Sequence, residues 1–347
     1  MIPLRVEPIE RAGVEAEFSE SELQLESEAA LSESTVPSHF STMRYSDVRD
    51  PPKPDWLRIK PPTGQFADIK ATVKSLGLHT VCESAHCPNI TECWSGGTAT
   101  FMVLGNTCTR GCRFCAVPHG ARGDVLDADE PRKVGEAVAK WGLEYVVITS
   151  VDRDDLPDQG SGHYAEVIRE IRKQAPKTMV EVLIPDFKAD EECIRTIVEA
   201  KPHVIAHNVE TTADLQKFVR DPRANYAQSL KVLQTVKALD PSIFTKSSIM
   251  LGLGESQEQV LQAFADLRAI GCDFLTLGQY LRPSSRHLPV AEFLSPERFK
   301  HFEQKALDAG FLYCAAGPFV RSSYRAGEFF IASVIKNKQS VKVVNTA

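Results

Sequence analysis

Six of the nine cysteines fall between Cys82 and Cys115, and their spacing is the strongest chemical signal in the chain. Residues 108–115 read CTRGCRFC, which sets Cys108, Cys112 and Cys115 in a C-x3-C-x2-C pattern. Upstream, VCESAHCPNITECW sets Cys82, Cys87 and Cys93 in a C-x4-C-x5-C pattern. Iron–sulfur clusters are held by cysteine thiolates, usually four of them. A triplet can therefore wrap three corners of a [4Fe–4S] cube and leave one iron open to a substrate or cofactor. The alternative is a structural zinc ion on three cysteines and a histidine, with His119 nearby. Against zinc stands the lack of a matching ligand pair at zinc-ribbon spacing. Cys193, Cys272 and Cys314 are scattered among apolar neighbours and read as small buried hydrophobes.

Such triplets need rigid elements behind them. From about residue 99 short β-rich runs recur: 100–105, 144–150, 179–185, 203–210, 244–252 and 274–278. Helical patterns lie between them at 131–141, 162–174, 189–200, 225–238 and 256–269. This α/β alternation predicts parallel strands joined by crossover helices. Six units are too few to close an eightfold barrel, so the expectation is a partial (β/α)6 barrel of the TIM type. Chemistry in such sheets sits at the C-terminal ends of the strands, where CTRGCRFC follows the first run. GLGES, residues 252–256, reads as a glycine turn and is too short to count as a nucleotide fingerprint.

Composition narrows the function classes. The chain has 347 residues, 43% apolar and 25% charged, as in ordinary globular proteins. No run of about 18 apolar residues predicts a membrane span. The start, MIPLRVEPIERAGVEAEF, lacks the pattern of a signal or transit peptide, so the expected location is cytoplasmic. Of the net charge of −6, residues 1–40 carry −7 and the remainder +1, which argues against nucleic acid as a partner. Residues 1–49 are expected to form a disordered acidic tail. Residues 50–98 form an N-terminal extension that bears the upstream triplet and opens on the proline-rich stretch 50–62. The barrel covers 99–290, and 291–347 supply a C-terminal helix and the RSSY segment.

The C-x3-C-x2-C spacing, with Phe114 before the last cysteine, resembles the signature of the radical S-adenosylmethionine (SAM) superfamily. Further matching segments are CESAHCPNITECW, His119–Gly120, TSVDRDDLPD (149–158), HNVET (207–211), LGQYLRPSSRHLPV (277–290) and AGPFVRSSY (316–324). Together they span roughly residues 50–335, in order, and resemble the lipoyl synthase family. An electron-transfer protein with two clusters would call for eight thiolates on a much smaller chain. Biotin synthase lacks the upstream triplet, and methylthiotransferases carry theirs on a separate domain.

The resemblance implies insertion of sulfur at C6 and C8 of an octanoyl chain on a carrier lysine. Cys108, Cys112 and Cys115 would hold the cluster whose open iron SAM chelates. Cys82, Cys87 and Cys93 would hold an auxiliary [4Fe–4S] cluster that is the sulfur source, with Ser323 as its fourth ligand and Arg321 beside it. Two SAM molecules are used per lipoyl group. Candidate SAM contacts are Ser150, Asp152 and Arg153 after the second strand, Asn208 and Glu210 for the ribose, and Arg220 for the carboxylate; Asp154 and Asp155 read as loop-structuring. Implied partners are octanoylated carriers of the 2-oxoacid dehydrogenase E2 and glycine cleavage H protein type, an electron donor such as ferredoxin or flavodoxin, and an iron–sulfur carrier. No nucleic acid or membrane is implied. Two positions depart from the family pattern, Gln159 and Ser248, each expected to place a side chain in a loop that usually has glycine.

Overall fold

The computed structural model describes residues 45–57, 66–85, 87–95 and 100–323. The acidic stretch up to residue 44 and the chain after Ser323, Tyr324 included, lie outside them. Eight strands follow one another across one sheet in chain order. They are β1 (His79–Thr80), β2 (Thr100–Val103), β3 (Tyr145–Ser150), β4 (Met179–Leu183), β5 (Val204–Ala206), β6 (Phe244–Leu251), β7 (Phe274–Gln279) and β8 (Tyr313–Gly317). From β2 to β8 every neighbouring pair is parallel, and β1 alone is antiparallel. β1 and β8 are not paired with each other, so the barrel is partial and open between them.

The six β-rich runs of the sequence correspond to β2–β7. Three short helices surround the first strands: α1 (Phe66–Leu76), α2 (Val81–Ser84) and α3 (Ile90–Ser95). The crossovers carry α4 (Glu130–Trp141), α5 (Ser161–Gln174), α6 (Glu191–Glu199), the single turn α7 (Gln216–Val219), α8 (Tyr226–Leu239), α9 (Gln257–Ala269) and α10 (Pro296–Asp308). Local chemistry sets several of these boundaries. Asn225, Ser256 and Ser295 cap α8, α9 and α10 with their side-chain oxygens, and Gln259 completes a capping box on α9. Gly142 ends α4 in the left-handed region at φ 60°.

Strands buried on both faces are near-continuously apolar, as parallel sheets require. Their inward residues stack in layers. The lowest layer, at the N-terminal strand ends, is Tyr145, Val147, Met179, Val204, Phe244 and Phe274, with the two phenylalanine rings stacked at 5.2 Å. Level with the upper members of this layer lie Glu181, opposite Val147 and Val204, and Lys246, opposite Phe274, paired at 2.7 Å and both buried. Tyr145 adds its hydroxyl to the same carboxylate. Above them, Thr149, Leu183, Ser248 and Gly278 face a cavity. Period-two alternation along each strand explains this ordering. It also corrects the expectation for Ser248, which sits inside β6 rather than in a loop and donates to the Thr276 carbonyl at 3.3 Å.

Candidate active site and cluster-binding loops

The loop after β2 begins under constraint. Leu104, fully buried, adopts a left-handed φ of 71°. Its N–H donates to Glu130 at 3.0 Å and its carbonyl accepts from Arg153 at 3.0 Å. Residues 108–115 then wind along the top of the barrel. The Arg113 N–H donates to the Val219 carbonyl, the Gly111 N–H to Asp221 and the Asp221 N–H to Cys112 Sγ. These bonds are made with the segment Val219–Asp221, which is therefore a mooring for the cysteine loop.

At the centre of the mooring is Arg110, 4% exposed. It forms ion pairs with Asp152 at 3.4 Å, with Asp154 at 2.9 Å and with Asp186. One guanidinium thus ties the loops after β2, β3 and β4 together. Asp154 also takes Lys188 and Arg223, and Asp155 pairs with Arg153 at 2.8 Å. Both acids organise loops, as the sequence suggested. Arg110 and Asp186 were missed there, because a lone arginine and a lone aspartate carry no spacing pattern. The segment Phe187–Ala189 after Asp186 runs through three left-handed residues. Gln159, also left-handed at φ 52°, spans to it by donating to the Phe187 carbonyl at 3.0 Å. A side chain therefore stands in the conformation glycine favours.

A cavity of about 490 Å³ opens above the barrel layers. It is lined by Cys108, Cys112 and Cys115, by Ser150, Asp152, Asn208, Glu210 and Arg220, and also by Cys82, Cys87 and Ser323. Cys93 in α3 and Arg153 do not line it. Arg153 instead lies buried behind the cysteine loop. Burial pushes the Cys108 and Cys115 thiols up to about 12 and the Cys82 and Cys112 thiols up to about 11. Cys87 is raised by the same cause, while the nearby Arg321 guanidinium opposes it. Metal loading must therefore displace protons from these thiols. All nine cysteines are free. No three His, Cys, Asp or Glu among the described residues converge tightly enough for one metal ion. His119 meets the cysteine loop through a backbone bridge with Cys108 and lays its ring over Gly111.

Three buried polar atoms on the wall make no hydrogen bond among the described residues: Ser150 Oγ, Asn208 Oδ1 and Arg220 Nε. Buried polar groups are nearly always paired, so these three atoms are left available to a ligand. A hydroxyl, an amide oxygen and a guanidinium N–H suit the amino, hydroxyl and carboxylate groups of SAM. Glu210, left-handed at φ 67°, accepts from Asn208 Nδ2 at 3.0 Å, and burial raises its pKa. Burial also pushes Asp152 up to about 6, opposed by Arg110 and reinforced by Asp186. Its side chain is a quarter exposed, but to the cavity. Arg220 is held from behind: its Nη1 donates to Ser229 Oγ at 2.7 Å, and Ser229 lies 2.9 Å from His207 Nε2.

The upstream triplet is built on β1, α2 and α3. Thr80 caps α2, which carries Cys82. The Cys87 N–H donates to the Cys82 carbonyl at 3.0 Å, and the Cys93 N–H to the Asn89 carbonyl at 2.9 Å. Trp94 is fully buried, and its indole, without a hydrogen bond of ordinary geometry, lies close enough to Cys82 to favour the thiolate. The Asn89 side chain donates to the Phe319 carbonyl, stitching this region to the segment that ends at Ser323. That segment crosses β7 at Gly278, where an added Cβ would lie 2.1 Å from the Val320 carbonyl oxygen. Arg321 is half-buried, with its guanidinium near Cys87.

An open (β/α) barrel with a three-cysteine loop after its first core strand defines a radical SAM enzyme, and the family model of the radical SAM superfamily matches residues 102–267. A second model, the N-terminal domain of lipoyl synthase, matches residues 30–87. The mitochondrial lipoyl synthase of Culex quinquefasciatus is 57% identical over 291 residues, covering 82% of this chain and 77% of its own. The lipoyl synthase of Anaeromyxobacter sp. (strain Fw109-5) is 54% identical over 287 residues, covering 82% and 97%. The chain belongs to the lipoyl synthase family. It is a sulfur-inserting radical SAM enzyme, and its cofactors are SAM and two [4Fe–4S] clusters. Among solved structures, Streptococcus suis SuiB bound to precursor peptide SuiA aligns with a TM-score of 0.50 at 8% identity, over 72% of this chain and 52% of that one; this likeness is one of fold. Among the described residues no helix is long and apolar enough to cross a membrane.

Proposed function

We propose that this one cavity is where two sulfur atoms are inserted at C6 and C8 of a protein-bound octanoyl-lysine, giving the lipoyl group. The observation that carries the reading is that Cys82 and Cys87 share the cavity with Cys108, Cys112, Cys115 and Ser323. When bound, the two clusters and SAM supply a hydrogen-abstracting radical and the sulfur. Saturated carbons offer no acidic proton, so the chain's residues act by placement rather than by acid–base catalysis. Cys108, Cys112 and Cys115 hold the SAM cluster, and the Arg110 and Asp221 contacts fix their loop. Arg220 takes the SAM carboxylate, Asn208 and Glu210 the ribose, and Ser150 and Asp152 the amino end. Arg153 serves from behind, by pinning Leu104. Cys82, Cys87 and Cys93 would hold the auxiliary cluster with Ser323, whose oxygen would be a hard, protonatable ligand on a site otherwise of soft sulfur. Arg321, half-buried at this site, favours the ionised oxygen. Apolar wall residues such as Val151, Ile184 and Met250 accommodate the acyl chain and exclude water.

Octanoylated E2-type and H-protein-type carriers are the proposed substrates, a ferredoxin or flavodoxin the electron donor, and an iron–sulfur carrier the source of replacement clusters. We keep the cytoplasm as the proposed location, although the insect relatives are named mitochondrial; cell fractionation checks it. The test of the site is a separation of two activities in anaerobically reconstituted protein. Cys108→Ala, Cys112→Ala or Cys115→Ala abolishes reductive SAM cleavage. Cys82→Ala, Cys87→Ala, Cys93→Ala or Ser323→Ala leaves 5′-deoxyadenosine forming while most lipoyl product is lost, and Ser322→Ala is milder. Equal loss of SAM cleavage in both sets, with folding intact, rejects the assignment.

A further inference from the structure

The cavity mouth carries a charge pattern that the chemistry inside does not use. Among the described residues lining the cavity, Lys53 alone is exposed, which places the opening beside it. The segment Tyr45–Leu57 lies along that edge, clamped by Arg282. This arginine donates to the Tyr45 carbonyl at 2.6 Å and to the Val48 carbonyl at 2.9 Å, and pairs with Asp50 at 3.2 Å. Two neighbours converge on the same place. Arg113 reaches the Tyr45 hydroxyl at 3.3 Å, and Arg286 follows Ser285, whose carbonyl accepts from Arg282. Arg49, Lys53, Arg113 and Arg286 are all exposed, and none has an ion pair among the described residues. On the flanking helices the surface arginines behave differently. Arg132, Arg169 and Arg195 each pair with a carboxylate three or four residues away. On the mouth segment only Asp47 and Asp55 stand against the four cations, since Asp50 is taken by Arg282.

The chain from residue 41 onward carries a net +1, so this excess is local. An octanoyl chain tethered to a lysine reaches the cavity only if the folded domain bearing that lysine settles on the rim. Resting on the function proposed above, we propose that Arg49, Lys53, Arg113 and Arg286 are the docking rim for an acidic face of the carrier domain around its modified lysine. Unpaired exposed cations of this kind steer encounter and select partners more than they add affinity, and their effect fades with salt.

The experiment compares two substrates on reconstituted enzyme: an octanoylated carrier domain with an acidic surface, and a short neutral octanoyl-lysyl peptide. In Arg49→Glu/Arg286→Glu the carrier Kd and KM rise roughly tenfold, the effect of reversing two surface pairings, and their dependence on salt flattens. Turnover of the peptide stays within about twofold of wild type, as expected when only the steering charges change. An unchanged carrier KM, or an equal rise for carrier and peptide, overturns the proposal. So does a defect seen only with a protein electron donor and absent with dithionite, which would make the rim a reductant site. If wild-type enzyme converts neither substrate, it is the functional reading that fails.

Discussion

His207 shows how one residue behind the cavity ties the site to stability. It is 3% exposed, its Nδ1–H donates to the Ile184 carbonyl at 2.9 Å, and its Nε2 faces Ser229, which Arg220 also contacts. Burial lowers its pKa from 6.5 to about 4, with Arg220 and Arg110 lowering it further and Asp186 opposing. A base with a depressed folded-state pKa binds fewer protons than the unfolded chain between those values. Its contribution is whole above 6.5 and is lost as pH falls toward 4. That is ~2 kcal/mol between pH 7 and pH 5. Denaturant unfolding at several pH values should show this slope in the wild type and a shallower one in His207→Gln. A wild-type slope no steeper than the variant's counts against it. The cysteines were legible in the sequence because ligand spacing is local information. The Arg110–Asp186 pair, 76 residues apart, exists only once β2 and β4 stand on either side of β3.

At the scale of elements, β2–β7 could be read from apolar runs because both faces of those strands are buried. β8 could not, since YCAAG is short and half of it small. β1 has only two residues, and its pairing with β2 at Thr80 and Phe101 depends on a partner 21 positions away. Residues 207–210 read as a continuation of β5, but the strand stops at Ala206 and the chain turns inward to present Asn208 and Glu210. Gly278 marks where two elements meet. It does not need a left-handed conformation; it needs to have no side chain, because the Val320 carbonyl crosses directly over it. Gly278→Ala should push residues 318–323 off β7 and carry Ser323 away from Cys82 and Cys87. The measurement is the same pair of activities: SAM cleavage within about threefold of wild type, and lipoyl product down at least tenfold, for a contact that backbone cannot yield. Parallel loss of both would mean that the strand itself is disturbed.

For the whole molecule, the barrel's layers have a consequence for traffic. The aromatic layer and the Glu181–Lys246 pair fill the lower end, so among the described residues the cavity opens on the side of the C-terminal strand ends, where Lys53 marks its door. What enters last stands in front of what entered first. The unpaired atoms of Ser150, Asn208 and Arg220, proposed above to meet SAM, lie within, and a carrier domain docked on the proposed rim blocks the door. Loading is therefore compulsory in order: SAM first, carrier second. Enzyme mixed beforehand with excess octanoylated carrier should show a lag when SAM is added, and enzyme mixed beforehand with SAM should show none when carrier is added. Equal progress curves for both orders would mean a second door. Where two SAM molecules serve one lipoyl group, the same geometry ties the interval between the first and second insertion to the time the door takes to reopen.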